Sequence, residues 1–292
     1  MFLQLLVTGL VVGSIYALVA LGFVLIYKAS DCINFAQGEF LLVGAYVSLW
    51  LVASYKMPFL PAVLLTLCLA LLLGVLVERL VLRPFIGEPV ISVIMVTIGL
   101  SSLMRGVIQL IWGTDTLVYP PVFPQTPVNL GGIVISQVYL WSLGLAILLL
   151  IILSLFFKFT TTGIVMRAVA DDQQAALSMG ISVKKVFAIT WAIAAMVAAV
   201  GGILLGNING VNSSLAYLGL KVLPVAILGG LDSIPGAILG GFIIGVVENL
   251  AGGYLDPVFG GGVKEVAPFV ILVLILLIRP YGLFGKEIIE RV

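Results

Sequence analysis

The sequence predicts an all-α polytopic membrane protein, a bundle of about eight transmembrane segments in which some are candidates for broken or re-entrant helices. Three observations predict it. Only 9% of the 292 residues are charged, whereas a soluble domain carries about 25%. Hydrophobic residues make up 62% of the chain and the mean hydropathy is +1.30. Apolar runs of bilayer length recur along the whole sequence, and the alternation of a β-barrel does not. A soluble domain, a secreted disulfide scaffold and a disordered chain are thereby excluded. A net charge of +1 gives no basic field, so the expected partner is the lipid bilayer and not nucleic acid.

A helix needs about 20 apolar residues to cross the hydrocarbon core. Residues 5–27 meet this without a charge. No Lys or Arg precedes them, so the run reads as a retained helix and not as a signal peptide. Residues 40–55 are uncharged but short. Residues 57–77 qualify, as do 90–112, interrupted by Arg105. Residues 138–157 form a clean span. Residues 186–220 are uncharged and hold one span to about 206, followed by an Asn-rich link. Residues 222–247 are apolar apart from Asp232, and 266–278 close the set. The chain 1–292 thus reads as one transmembrane domain.

Lys and Arg in short loops set orientation. Arg79 and Arg83, then Lys158, Arg167, Lys184 and Lys185, then Arg279, Lys286 and Arg291 place three regions on the cytoplasmic side. The Pro-rich loop 113–137 has no Lys or Arg and reads as external. The first helix then starts outside, with 28–39 inside. Parity requires the region between the 186–206 helix and the last helix to start and end outside. Two half-helices meeting at residues 228–236 satisfy this, and so does a helical hairpin with a Gly/Pro turn. Gly9-x-x-x-Gly13, Gly236-x-x-x-Gly240 and Gly241-x-x-x-Gly245 read as helix-packing contacts.

Polar residues within apolar runs are costly, about 3 kcal/mol for a charge at the bilayer centre. Asn34, Gln37 and Glu39 precede an apolar run, where they either face a cavity or cap a helix. Glu248 ends such a run and reads as pathway-facing or interfacial. Asp232 sits in the Gly/Pro break. Arg105 lies about 24 Å into its span at 1.5 Å per residue, which predicts that it snorkels to the outer boundary. Asn207, Asn209 and Asn212 read as outer-mouth or turn residues.

The chain has no His and two Cys. Metal sites and His-dependent catalysis are not expected, and Cys32 and Cys68 read as small buried hydrophobes. No G-x-x-x-x-G-K-[ST] loop is present, so the chain is not expected to hydrolyse ATP itself in the usual way. Neither an Arg-rich voltage sensor nor a potassium-type filter occurs. No catalytic residues and no cofactor are assigned.

The cytoplasmic loop at about 158–185 is the most informative region. Residues 166–179 are good helix formers without Pro, which predicts one short amphipathic helix with Asp171 and Asp172 on its polar face. Gly180 fits its C-cap. Gln174-Ala175-Ala176-x-x-x-Gly180 resembles the E-A-A-x-x-x-G loop of ABC importer permeases, with Gln in place of Glu. Residues 13–22 (GSIYALVALG), 33–39 (INFAQGE), 166–168 (MRA) and 228–237 (LGGLDSIPGA) together resemble the LivH-type permease of branched-chain amino acid ABC importers. Gln37 stands where such permeases often have His.

The resemblance implies a permease subunit in the cytoplasmic (inner) membrane of a bacterium or archaeon, with no ATPase site of its own. It implies a second permease of the LivM type, two cytoplasmic P-loop ATPase subunits and an extracytoplasmic amino-acid-binding protein. It implies that Arg167, Asp171, Gln174, Ala175, Ala176 and Gly180 belong to the ATPase-coupling loop. The substrate implied is a branched-chain or similar neutral amino acid; relatives of this class also carry urea or aromatic acids. A stand-alone secondary transporter or channel would instead use Glu39, Asp232 and Glu248 as coupling carboxylates. An intramembrane enzyme would need a catalytic cluster that the sequence does not supply.

Overall fold

Backbone N–H and C=O groups in lipid must be satisfied within their own segment, and the apolar runs accordingly become helices. The computed structural model describes residues 1–124, 126–130 and 133–285. Lys286 and Arg291, part of the basic C-terminal region, lie outside the described residues. Among the described residues six helices are long and apolar enough to cross a membrane. They are α1 (Phe2–Ser30), α3 (Phe59–Val77) with its continuation to Phe85, α4 (Val90–Trp112), α5 (Gln137–Phe159), α8 (Val183–Asn209) and α11 (Ile234–Tyr254). The continuation of α3 is a wide π-helical turn, Glu78–Leu82, followed by the 3-10 turn Arg83–Phe85. Shorter helices are α2 (Gln37–Ala53), α6 (Thr161–Asp171), α7 (Gln173–Ser178), α9 (Leu215–Lys221), α10 (Leu223–Gly229), α12 (Asp256–Phe259) and α13 (Val263–Ile278). A small antiparallel hairpin, β1 (Val128–Leu130) and β2 (Ile133–Ile135), lies in the loop before α5.

Helices α1 and α8 form the centre, and α3, α4 and α5 turn most of their surface outward. The glycine spacings explain how α1 packs so closely. A Cβ added at Gly13 would stand 2.7 Å from the Gly241 carbonyl oxygen, and one at Gly9 would stand 2.8 Å from Val246 Cα. Gly241 and Gly245 of α11 thus face α1, in a backbone-to-backbone seam. Gly236 and Gly240 face the other way, onto Gly229 and Val225 of α10.

Residues 222–247 are therefore not one span. They break at Gly230, which has φ +105°, and α10 and α11 form the antiparallel arms of a hairpin. Ser233 accepts the Gly236 N–H at 3.1 Å and starts the second arm. Cys32 is buried as expected, but Cys68 is exposed on the outward face of α3.

The ends of the bundle differ in composition. The cavity walls place the end of α1, the end of α3, the α6–α7 loop, the α10–α11 turn and the chain after α13 together; this is the basic end. At the other end aromatic rings touch in series. Trp112 stacks on Tyr46 at 5.4 Å and meets Trp50 at 6.5 Å, and Phe123 lies between Phe59 and Trp141. An aromatic belt of this kind marks a membrane–water boundary.

Candidate functional sites

The chain leaves α1 at Asp31, held in the left-handed region at φ 51°, and turns back into the bundle. Helix α2 therefore starts at depth. Gln37 Nε2 donates to the Ala194 carbonyl at 3.2 Å, about 16 Å along α8 at 1.5 Å per residue. The irregular stretch before it is satisfied by side chains, as buried backbone must be. Asn34 Oδ1 accepts the Ala36 N–H at 2.9 Å, and Thr97 Oγ1 accepts the Phe35 N–H at 3.3 Å. Asn34 Nδ2 also donates to Gln37 Oε1. The expectation that 28–39 lies on the cytoplasmic side is corrected for Asn34–Glu39, which lie inside the bundle, buried apart from the half-buried Phe35. The short 40–55 run is short because its helix begins there.

Gly38 of α2 packs directly on Gly219 and Ala216 of α9, and charges flank this crossing on both sides. Glu39, 1% exposed, receives both Nε (3.2 Å) and Nη2 of Arg105 on one oxygen. Its other oxygen is buried without a hydrogen-bond partner. The Arg105 guanidinium also lies over the Tyr217 ring at 4.6 Å. Arg105 thus reaches inward to a carboxylate across the bundle, and the snorkelling expectation is corrected. On the other flank Lys221 Nζ meets Glu248 Oε1 at 3.0 Å and Glu265 Oε2 at 2.8 Å. Glu248 is buried and faces the bundle interior.

Sequence reasoning missed Lys221 and Glu265. The available signal was that Lys221 is the one cation between Lys185 and Lys264. A lone Lys in so apolar a stretch needs a carboxylate.

Asp232 lies in the α10–α11 turn at the basic end and not in mid-bundle. It shares a cavity of about 440 Å³ with Lys28, Asp31, Asp171 and Tyr281. Burial pushes the Asp31 carboxyl up from its ordinary range. The C-terminal segment closes this end by donating Leu283 and Phe284 N–H groups to the Leu228 and Gly229 carbonyls.

The loop expected to form one helix over 166–179 forms two. Asp172 interrupts it, its side chain accepting the Gln174 and Ala175 N–H groups at 2.8 and 2.9 Å, so that it caps α7. An Asp at that position competes with the helix backbone and restarts it. Gly180 then ends α7 with φ +80°. Its N–H meets the Leu177 carbonyl while Ile181 N–H meets Ala176, the paired bonds of a Schellman turn. Gln174 and Ala175 are exposed and Ala176 is buried. Arg167 folds back onto the Lys158 carbonyl at 3.4 Å. Gln173 Nε2 donates to the Ala29 carbonyl at 3.1 Å, tying the loop to the end of α1.

Among the described residues no group of His, Cys, Asp and Glu is placed to hold a metal ion.

Comparison with known proteins decides what this arrangement belongs to. The family model described as "Branched-chain amino acid transport system / permease component" matches residues 5–279. The chain belongs to the branched-chain amino acid transport permease family. It is 34% identical to the permease protein BraD of Pseudomonas aeruginosa over 305 residues, covering 100% of this chain and 98% of that one. It is 32% identical to LivH of Salmonella typhimurium with the same coverage. Identity to a probable LivH of Methanocaldococcus jannaschii is 31%, covering 96% and 91%. A chain of PsaBC from Streptococcus pneumoniae, in complex with Fab, shares the fold at a TM-score of 0.52 and 14% identity, covering 94% and 90%. Membership makes the chain a multi-pass inner-membrane transport subunit of an ABC-type importer, not an enzyme. The general architecture of permease, ATPase and binding protein follows from the family.

Proposed function

We propose that this chain forms one half of the transmembrane pathway for leucine, isoleucine or valine, paired with a second permease of the LivM type. Two P-loop ATPases dock on the basic end, and an extracytoplasmic binding protein delivers the amino acid to the other end. Helix α2, the α9–α10 arm and α13 complete the bilayer crossings begun by the six long helices, giving the bundle of about eight segments or slightly more.

The observation that supports the coupling role most directly is the tip of α7. Leu177 and Met179 are exposed there, Met179 by 81%, immediately before the Gly180 turn. Two apolar side chains on a short capped helix are the kind of anchor that a partner cleft buries. Asp172 and Gly180 fix its two ends, and Gln173 links it to α1. A push on α7 therefore reaches the central helix through Gln173 and Ala29. Asp171 sits at the α6 end of this linkage and Arg167 fastens α6 to α5. Buried Asn34, Gln37, Glu39 and Glu248 hold the mid-bundle helix starts in place, and Asp232 belongs to the basic-end closure.

The test is purification of the tagged chain from native membranes in mild detergent, followed by leucine uptake. A P-loop ATPase and a second permease are expected to copurify. Gly180→Pro, which forces φ to about −65° where +80° is needed, is expected to lower leucine uptake about tenfold while the bundle still elutes folded. Charge reversal at Arg167 is expected to act in the same direction. Wild-type uptake by both variants would refute the coupling role. Uptake of urea in place of leucine would refute the substrate.

A further inference from the structure

A groove of about 660 Å³ runs over α9, from Asn209 and Asn212 at the outer end of α8 to Phe35 at the start of the α2 region. Its size falls within the range of small-ligand sites, about 300–1,000 Å³. Its walls are mainly apolar, with Leu218, Leu223 and Phe269 among them, and two charged groups converge in it, Lys221 and Glu265. The two differ sharply in burial. Lys221 is 8% exposed and Glu265 is 70% exposed.

Lys221 carries one positive charge between two carboxylates. Glu248 holds it from inside the bundle, and Glu265 holds it from the groove. The inner pair is buried and costly to break. The outer pair is one that water screens, of a type that contributes little to stability. The outer pair can therefore open while Glu248 keeps hold of Lys221. An opened pair presents one cation and one anion side by side, next to an apolar wall.

We propose that this groove is a subsite for the zwitterion of an aliphatic α-amino acid, inserted between Lys221 and Glu265. The substrate carboxylate takes the place of Glu265 on Lys221. The substrate ammonium pairs with the released Glu265. The aliphatic side chain lies against Leu218, Leu223 and Phe269. Charges then alternate along Glu248, Lys221, substrate carboxylate, substrate ammonium and Glu265. Solutes with only one of the two charges leave a groove charge unpaired, which is how a site rejects an analogue lacking one polar group. The inference rests on the amino-acid importer reading and assigns its recognition chemistry.

The experiment uses the whole importer in lipid nanodiscs without the binding protein, with equilibrium binding of radiolabelled L-leucine. Glu265→Gln is expected to bind leucine about tenfold more weakly than wild type, the loss of a charge-assisted pair. Glu265→Asp is expected to recover most of that affinity. Without any mutation, 4-methyl-2-oxopentanoate, which keeps the carboxylate and lacks the ammonium, is expected to compete about tenfold less well than leucine. Glu265→Gln is expected to abolish that discrimination. Equal leucine affinity in wild type and Glu265→Gln, or equal competition by the keto acid, overturns the subsite. Leucine uptake into proteoliposomes with the binding protein present separates the two failures. Uptake by wild type with no effect of Glu265→Gln on binding overturns the subsite alone; no leucine uptake by wild type overturns the importer reading with it.

Discussion

Two of the glycine contacts in this bundle do different things. In the α1–α11 seam, Gly9 and Gly13 meet Gly241 and Gly245 along two full-length helices, and the polar residues beside them, Ser14 and Asn249, donate to carbonyls of their own helices. At the α2–α9 crossing, Gly38 meets Gly219 where both helices are short, and the surroundings are Glu39, Arg105, Lys221 and Glu248. Close backbone approach is the same device in both. What differs is what the neighbouring residues can do when the contact loosens. Side chains bonded within their own helix have no pair to exchange, so the seam reads as scaffold. Charged neighbours at the crossing are held in pairs, and the exposed Lys221–Glu265 pair is the one we propose opens to a solute.

The largest expected effect breaks the seam. Gly13→Leu drives a side chain into the Gly241 backbone, where even a Cβ would be 2.7 Å from the carbonyl oxygen. Overpacking of this kind costs about 3 kcal/mol or more. Gel filtration in detergent should show loss of most folded permease; a normal elution profile would mean that the seam is not close-packed.

An intermediate effect dissects the crossing. Arg105→Gln leaves Glu39 buried without its cation, and Glu39→Gln leaves Arg105 without its anion, each at a cost of about 3 kcal/mol. The double variant should cost less than the two singles combined, by about 1–3 kcal/mol. Thermal unfolding of all four proteins closes the cycle. Strict additivity would show that Glu39 and Arg105 do not act as a pair.

The smallest effect is expected at Asp31, where the seam helix ends and the chain turns toward the crossing. Burial raises the folded-state pKa of this carboxyl, so the folded state binds its proton more tightly than the unfolded chain does. That stabilisation is fully present below the unfolded pKa and is lost as pH rises through the folded one. Asp31→Asn keeps a residue that tolerates positive φ and removes the charge. It should unfold at a slightly higher temperature than wild type at pH 7, with the gap closing as pH falls into the carboxylate range. A gap independent of pH would assign the effect to something other than ionisation.

Much of the fold was legible because lipid punishes exceptions. The long spans, the Gly-x-x-x-Gly packing and the Gly180 terminus all follow from local rules, and each has its counterpart in the structure. The pairing of charges was not legible. Arg105 and Glu39 lie 66 positions apart, and Lys221 and Glu248 are 27 apart, so nothing local joins them. Helix depth was equally hidden. The Asn34–Glu39 segment has the polarity of a loop in water, but its polar side chains are used inside the bundle, Asn34 on the irregular backbone, Gln37 on an α8 carbonyl and Glu39 on Arg105. Asp172 shows a third limit. Counting helix formers could not reveal that one Asp would cap a new helix instead of joining the polar face of the old one.

The aromatic belt has an optical consequence. Of the four tryptophans, Trp50 and Trp112 touch one another and Trp141 lies one ring beyond Phe123, all at the end away from the basic loops. Trp191 is alone in facing Phe40 deep in the bundle, beside the cavity that contains Cys32 and Arg83. Intrinsic fluorescence of this chain is therefore weighted toward one leaflet. A Trp191→Phe variant would carry indoles at the aromatic end only, so its emission would report on that end and be nearly blind to events at the basic end.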